Sequence, residues 1–140
     1  MRMFKIVGSL LTALMLFSST ANAGCLLIAN RSVTEASISK KDVKLIFLGK
    51  KIKWNNGMKI HKARLLHGPT HEQFLKEYIQ KSVYSYASFW KLAIVTGSAI
   101  PPKSFKSEKD LIKYIAEKEG SVGYISTKTP HEGVVVLPVE

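Results

Sequence analysis

Short apolar runs alternate with amphipathic segments along most of this chain, and this alternation restricts the fold more than any other feature. The strand-like runs are residues 25–30, 58–65, 121–126 and 134–137, and the helical segments are residues 39–49, 70–80, 82–97 and 107–120. Strands that alternate with helices predict an α/β domain with a mixed sheet and helices packed on it. The first run is continuously apolar, which predicts a buried strand of the parallel type.

Residues that favour helix ends mark most of the helical segments. Ser39, Ser82 and Ser107 stand where N-caps are expected, because a serine hydroxyl can accept a hydrogen bond from an early helix N–H. Glycines that can end these helices follow at positions 49, 97 and 120. The aromatic-rich segment at residues 82–97 is predicted to be the main core helix.

The connecting segments carry turn and extended-chain signals. Asn55-Asn56-Gly57 predicts a tight turn, because Asn-Gly suits positive φ angles. The preceding residues 50–54 alternate lysines with Ile52 and Trp54, which predicts an edge strand or an extended arm. Residues 97–107 contain Pro101-Pro102, which cannot lie inside a helix, and predict a linker.

The first 23 residues have the composition of an export signal. Arg2 and Lys5 precede an apolar stretch, and Ala21-Asn22-Ala23 matches a signal-peptidase site. Residues 1–23 are therefore predicted to be a signal peptide and residues 24–140 a single domain in the periplasm or outside the cell. Lipidation of Cys25 is the less favoured alternative, because Asn22 replaces the expected aliphatic residue.

The chain is strongly basic. Its formal net charge is +11, of which the two basic residues of the predicted signal peptide contribute +2, leaving +9 for residues 24–140. An exported basic chain rarely meets nucleic acid, so the expected partners are small anions, lipopolysaccharide-like surfaces or an acidic protein. The single cysteine excludes an internal disulfide.

The junction between the second strand and the helix after it carries the main binding-site prediction. Thr70 and Gln73 match a capping box, which places the start of that helix at Thr70. A helix start presents unpaired N–H groups and a positive dipole end to an anion, and the Arg64 guanidinium could reach the same anion. The alternative is an ordinary capped helix with an Arg64 side chain that faces solvent.

No catalytic or cofactor motif is present in the sequence. The chain lacks a nucleophile elbow, a P-loop, a zincin motif and paired cysteines. His67, His71 and Glu72 lie close in sequence, but Pro69 between the histidines removes the shared helix face that a metal pair needs. We therefore expect neither an enzyme nor a metal or cofactor site.

Several motifs together resemble the substrate-binding component of phosphate ABC transporters. The most specific combination is Ile46-Phe47-Leu48-Gly49-Lys50, then Trp54, then Gly120-Ser121-Val122-Gly123-Tyr124. The other matching residues are Asn30, Ser39, Asp42, Val43, Gly57, Arg64, Gly68, Thr70, Phe74, Phe89, Trp90, Thr96, Gly97, Pro101 and Pro102.

The resemblance implies one lobe of a type 2 periplasmic-binding-protein fold, because the chain has about half the length of a two-lobed member. It also implies a phosphate or oxyanion site at Arg64, Gly68, Thr70 and His71. Arg64 and Thr70 match the family's Arg and Thr, whereas Gly68 and Pro69 replace its Ser and Gly. Gly68 has no hydroxyl and Pro69 has no N–H, so two donors are lost.

Two functions follow as expectations. The first is a small exported phosphate- or oxyanion-binding protein that is related to the solute-binding component of an ABC transporter. Its possible partners include the membrane subunits of such a transporter. The second is a degenerate binding-protein lobe that has lost its ligand and serves as a protein-interaction module in the cell envelope.

Overall fold

The computed structural model describes residues 24–140, so the predicted signal peptide lies outside the described residues. The strands are β1 Cys25–Ala29, β2 His61–Leu65, β3 Lys103–Phe105, β4 Ser121–Ser126 and β5 Val135–Val136. The helices are α1 Lys40–Phe47, α2 Pro69–Phe74, α3 Val83–Thr96 and α4 Glu108–Glu117, and α2 continues as a π-helical turn, Leu75–Ile79. No helix among these residues is long and apolar enough to cross a bilayer.

The five strands form one mixed sheet in the order β3-β2-β4-β1-β5. Strand β2 is parallel to β3 and β4, whereas β1 is antiparallel to β4 and β5. The mixed α/β sheet is as predicted, but the parallel direction expected for β1 is wrong. A continuous apolar run shows that both faces of a strand are covered, and it carries no information on strand direction.

Helices cover both faces of the sheet, and β4 shows which helix lies on which side. The α carbon of Gly123 faces α4, since a β carbon there would lie 2.9 Å from Leu111 and 3.3 Å from Ile115. The neighbouring side chain, Tyr124, points to the opposite face, where its ring stacks on Phe74 at 3.8 Å between centroids. Helices α1, α2 and α3 therefore lie opposite α4.

The predicted serine caps are confirmed. The hydroxyls of Ser39, Ser82 and Ser107 each accept a hydrogen bond from the backbone N–H three residues later, at 3.0–3.2 Å. Gly97 ends α3 in the left-handed conformation, with φ of 66°. These features are local, so the sequence alone determines them.

Three predicted segments differ in the structure. Strand β2 begins at His61 rather than at residue 58, and Lys59 forms only an isolated bridge with Lys53. Residues 50–54, predicted as an edge strand or an extended arm, form no strand beyond that bridge, and Trp54 is buried and donates to the Gly120 carbonyl at 2.9 Å. The expected linker at residues 97–107 contains the short strand β3.

Helix α3 is only partly a core helix. Tyr86, Trp90 and Ala93 are buried, but Leu92 is 66% exposed and Val95 is 82% exposed. The prediction that α3 is the main core helix is therefore wrong. The aromatic residues on its buried side have the predicted helical spacing, whereas the opposite side is apolar and exposed.

Candidate functional site

The candidate site lies at the carboxyl ends of the parallel strands, where β2 passes into α2. Ligands of open α/β sheets bind at this edge, because the loops that leave the strands and the helix starts meet there. The short segment of residues 66–68 connects Leu65, the last residue of β2, to Pro69, the first residue of α2. This placement brings Arg64 and the beginning of α2 to the same edge.

Helix α2 begins one residue earlier than the sequence predicted. Gly68 is the N-cap, with φ of 104° and ψ of 171°, and Pro69 occupies the first helical turn. The predicted capping box of Thr70 and Gln73 is wrong, because Thr70 is already helical and no side chain caps this helix. Proline at the first helical position is favoured, since its fixed φ suits the helix and its missing N–H is not needed there.

The start of α2 leaves backbone donors unused. Among residues 24–140, no protein acceptor pairs with the backbone N–H groups of Thr70 and His71. Gly68 has open space around it, since a β carbon there would meet no atom within 4 Å. The free N–H of the partly exposed Thr70 and the open glycine give an anion room to approach the positive end of the helix, whereas the N–H of His71 lies in a residue that is 0% exposed.

Arg64 is held in place by a residue that the sequence analysis missed. Its Nε donates to the hydroxyl of Ser104 at 2.9 Å, and the two residues are register partners on β2 and β3. The guanidinium lies 6.0 Å from the ring centroid of Tyr86, which is in turn 6.2 Å from the His71 ring. Arg64 therefore lies on the α2 side of the sheet, and its terminal nitrogens make no hydrogen bond within the described chain.

Burial separates His71 from the other predicted ligand residues. Its side chain is 0% exposed, and its Nδ1 forms a short hydrogen bond with the hydroxyl of Tyr124. The same hydroxyl accepts from the backbone N–H of Leu65 at 3.0 Å. The Nε2 atom has no partner among the described residues. Burial first, and then the positive charges of Arg64 and His67, lower the pKa of His71 to about 4, so the ring is neutral at pH 7.

We expect this buried histidine to make the protein less stable in mild acid. In the unfolded chain a histidine has a pKa of about 6.5. Between pH 6.5 and about 4, His71 therefore binds a proton in the unfolded state but not in the folded state. Stability is then lost as the pH falls through this window, by up to about 3 kcal/mol.

Urea unfolding at pH 7 and pH 4.5 measures this dependence. His71→Asn keeps an acceptor near the Nδ1 position but cannot be protonated, so its loss of stability between the two pH values should be smaller than that of the wild type. The exposed His67, whose charge is the smallest of the three causes that lower the His71 pKa, is the matched control, and His67→Gln should keep most of the wild-type dependence. An equal pH dependence in all three proteins would contradict the assignment to His71.

Cys25 supports the start of α2 and is not a reactive thiol. Its Sγ donates to the carbonyl of Thr70 at 3.4 Å, which connects β1 to α2. Burial, followed by the negative charges of Glu77 and Glu108, raises the thiol pKa to about 12. The thiolate is therefore absent at neutral pH. Within residues 24–140, no cluster of His, Cys, Asp and Glu side chains has the geometry to hold a metal ion.

The predicted site residues thus fall into two groups. Arg64, Gly68 and Thr70 lie at the strand–helix junction and expose polar groups or open space there. His71 lies in the same turn, but the whole residue is 0% exposed, so its imidazole belongs to the core and its backbone N–H, although without an acceptor among the described residues, is covered. Ser104 had no sequence signal, because the strand that carries it was predicted as a linker.

Comparison with known proteins bears on the fold. No protein-family profile matches the chain, and no curated protein matches it. Solved structures do match. PstS from Borrelia burgdorferi aligns with a TM-score of 0.65 at 16% identity, over 84% of this chain and 47% of that protein. A possible phosphate binding protein from Planctomyces limnophilus aligns with a TM-score of 0.61 at 14% identity, over 84% of this chain and 41% of that one.

A third structure has phosphate bound. It is a putative phosphate ABC transporter substrate-binding protein from Clostridium perfringens, with a TM-score of 0.58 at 14% identity, over 83% of this chain and 44% of that chain. The present chain thus spans less than half the length of each of these structures. The described residues therefore share the α/β fold of these solved structures over slightly less than half of their length, as the sequence resemblance predicted for a single lobe.

Proposed function

We propose that this chain is an exported protein that binds phosphate or another small oxyanion at the junction of β2 and α2. The proposal rests on the environment of the Arg64 side chain. Arg64 is partly buried as a residue, its guanidinium donates to Ser104 in an exposed hydrogen bond, and it has no carboxylate partner, since the one ion pair among residues 24–140 joins Lys51 and Asp42. A guanidinium without a counter-ion, at the same edge of the sheet as a free helix N–H group, suits an oxyanion.

Each residue of the proposed site has a separate role. The terminal nitrogens of Arg64 can donate to two oxygens, because Nε is already committed to Ser104. The backbone N–H and the hydroxyl of the partly exposed Thr70 donate from the helix start, whereas the backbone N–H of His71 is covered by protein. Gly68 leaves the approach open. The neutral imidazole of His71 contributes packing rather than charge.

The resemblance and the fold support a place for this lobe in an uptake system of the ABC type. The solved structures that match include an ABC-type phosphate transport receptor from Vibrio cholerae and a putative phosphate ABC transporter substrate-binding protein from Clostridium perfringens. In this proposal the described residues form one wall of an oxyanion site, and a second lobe or a membrane subunit would supply the other. We therefore expect weaker binding by the lobe alone than by a site enclosed on both sides.

Calorimetric titration of the protein with phosphate, sulfate and a small carboxylate tests this function. We expect phosphate to bind in the millimolar range or tighter and to raise the melting temperature. Arg64→Ala should weaken phosphate binding by about tenfold or more, because a hydrogen bond to a charged group contributes about 1.5–3 kcal/mol.

Arg31→Ala is the matched control, since Arg31 is exposed, carries the same charge and lies outside the junction. It should bind phosphate as the wild type does. Absence of a phosphate signal at millimolar concentration, or equal affinities for the wild type and Arg64→Ala, would count against the proposed site. Thermal unfolding of each variant checks that the loss of binding is not a loss of folded protein.

A further inference from the structure

Helix α3 presents an apolar stripe to solvent on the side opposite its buried face. Tyr84, Leu92 and Val95 lie on one face at helical spacing and are 82%, 66% and 82% exposed. Lys91, the single charged residue of this helix, lies on the same face, seven residues after Tyr84 and four before Val95. Large exposed apolar patches on a folded protein mark a surface that contacts another apolar phase or molecule. We call these three residues the α3 stripe.

The end of α3 continues into a cleft whose charges all have one sign. The cleft has a volume of about 900 Å³ and lies between the end of α1, the first residues of β2 and β3, and the segment that follows α3. Its exposed apolar members are Ile52, Ile94 and Ile100. Its charged members are Lys50, Lys59, Lys62 and Lys103, and no Asp or Glu lines it. We call this the basic cleft.

Among residues 24–140, the lysines of the basic cleft form no ion pair with a carboxylate. Lys62 is half-buried and lies 5.2 Å from the ring centroid of Trp90, and Lys103 lies 4.8 Å from that of Tyr114. Burial, followed by the charge of Lys59, lowers the pKa of Lys62 to about 8. An anion in the cleft would relieve the repulsion that these ammonium groups exert on one another.

We propose that the α3 stripe and the basic cleft together dock this protein onto an anionic lipid bilayer. The lysines of the cleft contact headgroup phosphates, and the exposed isoleucines and the α3 stripe enter the boundary between headgroups and acyl chains. Basic residues beside exposed apolar side chains are the combination by which peripheral proteins bind such surfaces. The proposal is independent of the oxyanion site, whose residues do not line the cleft.

The positive charge of this face favours an anionic bilayer over a second copy of the chain as its binding partner. A twofold dimer through this face would bring the lysine-lined clefts of both copies into one interface, and like charges at an interface oppose association. An anionic bilayer offers many phosphates to the lysines and an apolar layer to the isoleucines at the same time. A free anion would neutralise the lysines but would leave the apolar stripe in water.

Flotation of the purified protein with lipid vesicles tests the proposal. We expect binding to vesicles of equal parts phosphatidylcholine and phosphatidylglycerol, and little binding to vesicles of phosphatidylcholine alone. Molar sodium chloride should reduce the bound fraction, since salt screens the attraction. All variants carry the same residues 1–23, so a difference between variants reports on the proposed surface.

Two double variants separate charge from apolar contact. Lys50→Glu with Lys59→Glu should reduce the affinity for anionic vesicles at least about tenfold, because each lysine near such a surface adds appreciably to binding. Ile94→Ser with Ile100→Ser should also reduce it. Lys41→Glu with Lys109→Glu is the matched control, since both lysines are exposed and lie outside the cleft, and it should bind far better than the first pair.

Three results would overturn the proposal. The first is equal binding to neutral and anionic vesicles. The second is an equal loss of binding in the cleft pair and in the control pair. The third is a dimer in sedimentation experiments that Ile94→Ser with Ile100→Ser dissociates, without binding to vesicles, which would assign the face to a second copy. Arg64→Ala should leave vesicle binding unchanged, so a failure here is distinct from a failure of the oxyanion site.

Discussion

Replacing Gly120 with alanine is expected to lower the free energy of unfolding by about 3–5 kcal/mol. Gly120 has a φ of 72°, and an added β carbon would lie 2.2 Å from the carbonyl oxygen of Lys59. That oxygen belongs to the backbone next to β2, so it cannot move aside as a flexible side chain could. The left-handed conformation alone costs an alanine about 1–2 kcal/mol, and the steric overlap adds to that cost.

The position of Gly120 makes this overlap costly for the whole domain. Its carbonyl accepts hydrogen bonds from Trp54 Nε1 at 2.9 Å and from the backbone N–H of His61 at 3.1 Å. Its own N–H donates to the hydroxyl of Ser32 at 2.9 Å. Any shift that relieves the overlap disturbs these bonds where β4 begins beside β2.

Urea unfolding of Gly120→Ala and Gly97→Ala separates the two contributions. Gly97 has nearly the same φ, 66°, but a β carbon there would meet nothing within 4 Å. Gly97→Ala should therefore show only the conformational cost, about 1–2 kcal/mol. Equal losses in the two variants would show that the close approach of Gly120 to the Lys59 carbonyl does not contribute to stability.

The local features of the fold could be predicted from the sequence. The N-caps at Ser39, Ser82 and Ser107 depend on residues within one helical turn, and so does the glycine that ends α3. The alternation of apolar runs with capped segments was enough to predict a mixed α/β sheet. Strand direction was beyond this reasoning, because the pairing of β1 with β4 joins residues almost a hundred positions apart.

The same division between local and distant contacts applies to the candidate site. Arg64, Gly68 and Thr70 are near neighbours in sequence, so the strand–helix pattern was enough to place them together. Ser104 lies 40 residues from Arg64 and reaches it only through the pairing of β2 with β3. Strand β3 has three residues and no alternation of apolar side chains, so its sequence resembles that of a linker.

Burial accounts for the remaining errors. The sequence grouped His71 with the anion ligands because it lies one residue from Thr70, but its ring stacks beside Tyr124 in the core. The sequence also made α3 the main core helix because its aromatic residues share one face. Both errors have the same origin, since spacing along a helix shows which side chains share a face and does not show whether that face is covered.

The cluster that replaces α3 at the centre of the core is formed by Phe47, Phe74 and Tyr124. The ring of Phe74 is 0% exposed, stacks on Tyr124 at 3.8 Å and meets the edge of Phe47 at 4.8 Å. The Tyr124 hydroxyl also forms hydrogen bonds with His71 Nδ1 and with the backbone N–H of Leu65 at the end of β2. Phe74 therefore connects the stability of the core to the position of the candidate site.

Phe74→Ala is expected to lower the free energy of unfolding by about 3–5 kcal/mol, because it leaves a cavity the size of an aromatic ring in a fully covered place. The half-buried Phe89 on α3 is the matched control, and Phe89→Ala should cost clearly less, since water can already reach part of its ring. Urea unfolding measures both. Because the cavity lies directly under α2, Phe74→Ala should also weaken phosphate binding at temperatures where the variant is still folded. A Phe74 variant no less stable than the Phe89 variant would contradict the central place given to this cluster.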